Sequence, residues 1–366
     1  MKFESAKPVW LKDKIPEMNV LAGFKAVFQS DKTKKTELRI TGQTVFKVYV
    51  NGEFLLFGPD RTAHGFARVR VIDITEYLQK GMNNICIEAA GYNVNGYGVI
   101  NERSFLQAEI LEGGKAIKFT SNLNNDFVSR HLTEKLQKVQ RYSFQRGFVE
   151  AYRLSPETND WMKGNSTLPL FPLEEAGSRK LLDCTAPVPD FSLENFEKRV
   201  ETGKLVEFEN PKPLFRDRAI AKVDAQYLGY PIENLELLTV DILHNIKTEP
   251  SGNSKEELKE KEYSLFKMKN NYSGFIRVEV NVKEKTTLAL TFDEVLTEGK
   301  VDYLRLRCSN VVYYELEAGE YGLETLEPYT FQYLQVNVLG EGFGKECRYQ
   351  AFKMQRYGAG YLWFER

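Results

Sequence analysis

Residues 275–292 constrain the fold of this chain more than any other stretch. Ile276, Val278, Val280 and Val282 alternate with Arg277, Glu279 and Asn281. After the polar turn Lys283-Glu284-Lys285-Thr286, Leu288, Leu290 and Phe292 alternate with Thr287, Ala289 and Thr291. A two-residue period places successive side chains on opposite faces of a strand, so each segment has an apolar face that must be buried against another layer. The pattern recurs at 311–317 and 331–339. In the first half of the chain, two β-rich runs at 44–57 flank Asn51-Gly52. Asn and Gly tolerate the positive φ of a type I′ turn, so this stretch predicts a hairpin. Further strands are predicted at 67–74, 84–90 and 105–111, where Leu106, Ala108 and Ile110 alternate with Gln107 and Glu109.

Between these strands, Asp73 to Gly81 predicts one helical turn, capped by Thr75 and closed by Gly81 in the left-handed region. The best longer helix candidate is Asp126 to Gln140, where Phe127, Leu132, Leu136 and Val139 fall near helical spacing. The charged run at 251–262 predicts a solvated loop or short exposed helix. Seven of the 13 prolines lie between Pro156 and Pro213, which marks a long connector. No period of 20–50 residues signals a repeat architecture. The expected fold class is therefore all-β: two antiparallel β-sandwiches of jelly-roll type joined by a long Pro-rich connector. The expected boundaries are 1–155, 156–230 and 231–345, with a short segment 346–366 after the second sandwich.

Composition excludes several classes. Lys plus Arg total 50 against 51 Asp plus Glu, a net charge of −1, which lacks the basic excess of a dedicated nucleic-acid binder. No apolar run approaches the ~18 residues that span a bilayer. The N-terminus carries no apolar signal core, so the expectation is a cytoplasmic protein, or a periplasmic or extracellular one whose leader has been removed. Cys86, Cys184, Cys308 and Cys347 form no CxxC pair and are expected to be reduced, mostly buried thiols. His64, His131 and His244 show no metal-ligand spacing and are expected in loops or packing. Asp126, Asp293 and Asp302 offer oxygen ligands without the spacing of a calcium loop, so no metal or cofactor is expected.

An ordered series of motifs resembles the bacterial α-L-rhamnosidase family. Val48-Tyr49-Val50-Asn51-Gly52, Gly58-Pro59-Asp60-Arg61, Asp73-Ile74-Thr75-Glu76-Tyr77-Leu78 and Gly81-Met82-Asn83-Asn84-Ile85 resemble its N-terminal galactose-binding-like sandwich. Gln145-Arg146-Gly147-Phe148-Val149-Glu150 resembles the segment that closes that region. Asn271-Tyr272-Ser273-Gly274-Phe275, Asp293-Glu294-Val295-Leu296, Arg305-Leu306-Arg307 and Pro328-Tyr329-Thr330-Phe331-Gln332-Tyr333-Leu334 resemble its next β-domain. The family's catalytic carboxylates belong to a C-terminal (α/α)6 barrel, whose Asp-Cys-Pro-Gln-Arg motif is absent here. Asp183-Cys184-Thr185-Ala186-Pro187 is a superficial echo without the Gln-Arg. The resemblance thus implies the non-catalytic front part of such a glycoside hydrolase, with 346–366 as a truncated lead-in to an absent catalytic domain. The implied partners are a rhamnose-containing oligosaccharide and either that missing domain or a second copy of the chain.

No residue is assigned as catalytic. Asp293 and Glu294 are adjacent, so on a strand they point to opposite faces and form no carboxylate dyad by themselves, although Asp302 could approach either across a loop. The Glu294 loop, with Asp302, is a candidate edge of a sugar site. Arg61 follows a probable turn, where its planar fork could grip hydroxyls or pair with Asp60. The loop Gly91-Tyr92-Asn93-Val94-Asn95-Gly96-Tyr97-Gly98 supplies aromatic platforms and amides, so Tyr92, Asn93, Asn95 and Tyr97 are candidate ligand contacts. The glycines of this loop equally permit a tight corner. Three function classes stay open: an accessory carbohydrate-binding or architectural region of a rhamnosidase-like hydrolase, a small complete glycosidase, and a free-standing sugar-binding protein. The aromatic cluster Tyr357, Tyr361, Leu362, Trp363 and Phe364 is expected to be covered by a partner or by the chain itself.

Overall fold

The structure, a computed structural model, describes residues 3–96, 100–163, 170–189, 191–209, 228–237, 243–251, 257–340 and 347–356, with backbone alone for 257 and 347–356. The aromatic cluster at 357–366 lies outside the described residues. The fold is all-β, 54% strand and 5% helical, as the alternation predicted. The named helical elements are short 3-10 turns: Thr75–Tyr77, Thr158–Met162, Ile232–Asn234 and Arg305–Arg307. Among the described residues no helix is long and apolar enough to cross a membrane. The chain divides into two compact units. The first comprises 1–133, 145–147 and 159–186; the second comprises 134–144, 148–158 and 187–366.

The first unit is built from two sheets. One runs Leu173–Glu175, Val9–Leu11, Phe105–Glu112, Thr36–Gln43, Phe66–Asp73, Lys180–Asp183, with Lys115–Phe119 also paired to Phe105–Glu112. The other runs Val128–His131, Val20–Ser30, Gly81–Gly91, Val45–Val50, Glu53–Gly58. Their inward faces meet in one core. Leu38, Ile40, Leu106, Ala108 and Ile110 come from the first sheet; Ala22, Phe24, Phe46, Val48, Ile85 and Ile87 come from the second. The predicted hairpin is present: Val50 pairs with Glu53, and Asn51 and Gly52 hold φ of 51° and 86°. Asn51 also ties the hairpin to its neighbour. Its Nδ2 donates to Asn83 Oδ1 at 2.8 Å, and its Oδ1 accepts from the Asn84 N–H at 3.0 Å.

Three local expectations are corrected. Thr75 is the first residue of the turn Thr75–Tyr77 rather than its cap, a place held by Ile74 without a side-chain bond; Asp73 Oδ1 accepts both the Thr75 N–H and its hydroxyl, which leaves the Thr75 oxygen to accept the Thr36 N–H at 2.9 Å. Asp126 to Gln140 is not a helix. Val128–His131 is a strand paired antiparallel to Ala22–Lys25. Phe127, Leu132, Leu136 and Val139 are buried all the same, so the apolar residues were read correctly and their period was not. At the end of the charged run, Glu257–Leu258 pairs as a short strand with Cys347 and Arg348, while 252–256 lie outside the described residues. Of the stretch 156–230, residues 159–186 belong to the first unit and supply two of its strands, and Lys198–Glu207 is a strand of the second. Pro172 shows how a proline is accommodated there. It has no N–H to give, but its carbonyl accepts the Lys12 N–H at 2.9 Å beside an outer strand.

The second unit is organised by one 21-residue strand, Glu262–Val282. Its first part, through Lys267, pairs with Tyr329–Val338 on one side and Lys198–Glu207 on the other. The register with Tyr329–Val338 shifts between Lys267 and Tyr272, where Tyr272, Ser273 and Gly274 still face Phe331, Thr330 and Tyr329, and the later part also pairs with Gly319–Glu324 and Cys347–Arg356. A register shift of this kind is a β-bulge, which locally bends and twists a strand. Thr286–Asp293 follows it in sequence, yet pairs with Val311–Leu316 and Tyr329–Val338 instead. The sheet extends to Glu150–Leu154, which lies parallel to Val311–Leu316.

Cys86 is buried on Gly81–Gly91, and burial above all pushes its thiol up to about 12 from 9.0. The thiolate is the reactive species, so burial keeps Cys86 in its unreactive thiol form at pH 8. Because the folded value lies above the unfolded one, this group stabilises the fold fully below about pH 9, and that contribution falls as pH rises from about 9 towards 12. Iodoacetamide at pH 8 followed by peptide mass spectrometry is expected to leave Cys86 unmodified in the native chain and modified in urea. Rapid native labelling would contradict the buried placement.

Candidate functional site

In the second unit the Glu294 loop forms a tied projection. Thr286–Asp293 ends on Asp293, which is 1% exposed. Beyond it Leu296 and Thr297 pair with Val301 and Lys300, turning through Glu298 and Gly299 at φ of 50° and 78°. Two consecutive positive φ values are what a two-residue hairpin turn demands. Asp302 then caps the next turn: its Oδ1 accepts the Leu304 N–H at 3.1 Å and its backbone carbonyl accepts the Arg305 N–H at 3.0 Å.

Arg305 folds back onto the strand end. Its Nε donates to both oxygens of Asp293 at 2.8 and 2.7 Å, and one terminal nitrogen donates to Glu294 Oε2 at 3.0 Å. The hydrogen bond to Asp293 chiefly holds the guanidinium protonated above its ordinary range. Asn271 Nδ2 completes the group, donating to Glu294 Oε1 at 3.0 Å. The adjacent carboxylates therefore share one guanidinium instead of diverging. The strand ends at Asp293, so alternation no longer governs Glu294. It is Arg305, and not Asp302, that crosses the loop to them. Glu294 is partly exposed and could meet a ligand, with Arg305 and Asn271 fixing its orientation. Asp293 is sealed beneath it. Leu306 and Val295, both exposed, flank the group.

In the first unit the Tyr92 loop is a packed corner. Tyr92 is fully buried, so its ring offers no face to solvent. It lies against Gly147, where a Cβ would come within 2.6 Å of the ring. Asn93 adopts φ of 47°, and its Nδ2 donates to the carbonyls of Ile15 and Glu17 at 2.8 and 2.7 Å. Asn95 Oδ1 accepts the Asn101 N–H at 2.9 Å. Gly96 passes so close to the Gln145 carbonyl that a Cβ would sit 2.6 Å from it. Tyr97 lies outside the described residues. Arg61 is exposed. The alternative partner considered for it, Asp60, is engaged by Arg70 at 2.6 Å and by Cys184 Sγ at 2.8 Å. Among the described residues no group of three His, Cys, Asp or Glu side chains converges to hold a metal ion.

Sequence reasoning missed Arg305 and Asn271 as members of the Glu294 group. The signal available was the resemblance of both segments to one β-domain, which does not say that they touch.

No family description matches the sequence, and no curated protein matches it. The fold does match solved structures. A GH78 family rhamnosidase of Bacillus sp. GL1 superimposes with a TM-score of 0.77 at 12% identity, covering 97% of this chain and 55% of that one. The α-L-rhamnosidase of Aspergillus terreus gives 0.56 at 14% identity, covering 96% and 36%. The Streptomyces avermitilis α-L-rhamnosidase, solved with L-rhamnose, gives 0.54 at 17%, covering 93% and 28%. The chain thus has the fold of a part of these GH78 and α-L-rhamnosidase structures, and it spans little more than half of their length at most.

Proposed function

We propose that this chain is the non-catalytic β-region of an α-L-rhamnosidase-like glycoside hydrolase, and that it contacts rhamnose-containing glycans rather than cleaving them. One observation carries the reading: 97% of the chain superimposes on part of a rhamnosidase at a TM-score of 0.77. The chemistry of the Glu294 group agrees with it. Glycoside hydrolysis needs two carboxylates that both reach the scissile bond. Of the two neighbouring acids here, Asp293 is buried and doubly bonded to Arg305, so it cannot approach a substrate. Glu294, oriented by Arg305 and Asn271, suits hydrogen bonding to sugar hydroxyls at the rim of a site completed by another region, with Asp302 shaping the loop from behind. Arg61 and the Asn95 side chain are secondary candidates of the first unit, while the Asn93 amide is taken up by the carbonyls of Ile15 and Glu17.

The purified chain is expected to show no turnover of aryl α-L-rhamnosides while binding methyl α-L-rhamnoside saturably by calorimetry. Turnover abolished by Glu294→Gln would overturn the reading and make the chain a small glycosidase. Absence of rhamnoside binding, with binding of some other glycoside, would make it a free-standing sugar-binding protein.

A further inference from the structure

We infer a carbohydrate-binding platform at the corner of the first unit formed by Tyr77, Gln79, Lys80 and Met82. Tyr77 is the only exposed aromatic side chain among the described residues, at 51%. Met82, five positions on, is 58% exposed. Apolar residues scattered singly on a surface need no explanation. Two within one short turn, in a chain that buries its other described aromatics wholly or largely, do.

The corner is rigid. Ile74 and Leu78 are buried on either side of Tyr77 and nail the turn to the core. The Tyr77 N–H donates to the Ile74 carbonyl at 3.0 Å, and the Tyr77 carbonyl accepts from Asn51 Nδ2 at 3.3 Å. Asn83, itself buried, braces the far side. Its Oδ1 accepts the Gln79 N–H at 2.8 Å, and its Nδ2 donates to the carbonyls of Gln79 and Gly81 at 2.8 and 3.0 Å. Gln79 Nε2 closes the turn onto the Met82 carbonyl at 2.9 Å. The Tyr77 ring is therefore displayed on a backbone whose polar groups are already satisfied, and little ordering entropy opposes a ligand.

Size selects the ligand class. A stable protein interface buries roughly 800 Å² on each partner. A fully covered aromatic contributes about 150–250 Å², so two half-exposed side chains fall well short of that. A single pyranose matches them. Its C–H face is weakly positive and fits the negative face of an aromatic ring. Its hydroxyls need a few polar groups at the rim. The Tyr77 hydroxyl and the exposed side chains of Gln79 and Lys80 supply these.

This inference rests on the proposed function for its choice of rhamnoside probe, and the test separates the two. Calorimetric titration of the full chain and of Tyr77→Ala, Tyr77→Phe and Met82→Ala uses methyl glycosides of L-rhamnose, D-galactose and D-glucose. Tyr77→Ala is expected to weaken rhamnoside binding at least tenfold and Met82→Ala severalfold. Tyr77→Phe should retain most of the affinity, with melting temperatures unchanged throughout. Wild-type rhamnoside binding that Tyr77→Ala leaves intact would overturn the platform and leave the proposed function standing. Tyr77-dependent binding of galactoside or glucoside alone would support the platform and overturn the rhamnoside reading. No saturable binding of any probe would overturn both.

Discussion

Replacing Glu150 with alanine is expected to lower the melting transition of the second unit by about 10 °C. Glu150 is fully buried at the start of the outer strand Glu150–Leu154. Its carboxylate accepts the Leu326 and Glu327 N–H groups at 2.7 and 2.9 Å and the Tyr329 hydroxyl at 2.8 Å. Tyr152, whose ring stacks on Tyr314 at 5.2 Å, donates a further hydroxyl to it. Alanine would remove the acceptor that two backbone N–H groups and two phenols share. Each hydrogen bond lost from such a buried cluster costs ~1–3 kcal/mol, and the costs are not fully additive, so the net loss is about 3–5 kcal/mol. For a unit of roughly 200 residues, each kcal/mol moves the transition ~2–4 °C. Glu150→Gln keeps the volume but points an amide N–H₂ at donors, and is expected to fall between the two. Calorimetry with hydrogen exchange at Tyr329–Val338 reads the effect. An unchanged transition in Glu150→Ala would mean that the carboxylate does not hold these groups.

Glu109→Ala is expected to have a comparable effect on the first unit, centred on its N-terminal segment. Glu109 is buried on Phe105–Glu112. It accepts the N–H groups of Glu4 and Ser5 at 3.0 Å and of Ala6 at 3.2 Å, while Arg39 approaches at 3.3 Å. Three successive N–H groups converge on one carboxylate, which fixes the lead into Val9–Leu11. Removing a buried, charged acceptor from such a cluster costs about 3–5 kcal/mol. The readout is local: Glu4 to Ala6 should lose exchange protection, and the segment should become cleavable under limited proteolysis while Thr36–Gln43 stays protected. Equal loss of protection across the whole unit would show that the anchor is global; no loss at Glu4 to Ala6 would show that there is none.

Neither anchor was legible in the sequence. By alternation Glu109 falls on the polar half of its strand, and Glu150 is only the last residue of the Gln145–Glu150 motif. The partners that decide their roles lie up to 105 and 179 residues away in the chain. The same holds for the candidate sites. Tyr92 was read as a platform because its loop contains glycines and amides. Its burial follows from Gly147, which reaches it only in the folded unit. Tyr77 was read as part of a capped turn, and nothing in its spacing distinguishes an exposed ring from a packed one.

What the sequence by itself determined was local. Asn51-Gly52 dictated the hairpin, because few other residue pairs tolerate both positive φ values. The alternation at 276–282 and 288–292 dictated strands with one buried face. The ordered motifs, taken together, indicated the rhamnosidase-like fold that the superpositions then showed. What only the tertiary structure decided was long-range. It made Glu262–Val282 a single strand that pairs with four others, and within Asp126 to Gln140 it made Val128–His131 a strand where the spacing suggested a helix. It also joined Asn271, Asp293, Glu294 and Arg305 into one group. The physical reason is common to all of these. Backbone dihedral preferences and side-chain period act over a few residues, and sequence displays them directly. The pairing of a strand edge and the neutralisation of a buried charge are settled by groups separated by about ten to nearly two hundred residues, beyond the reach of local dihedral preference and side-chain period.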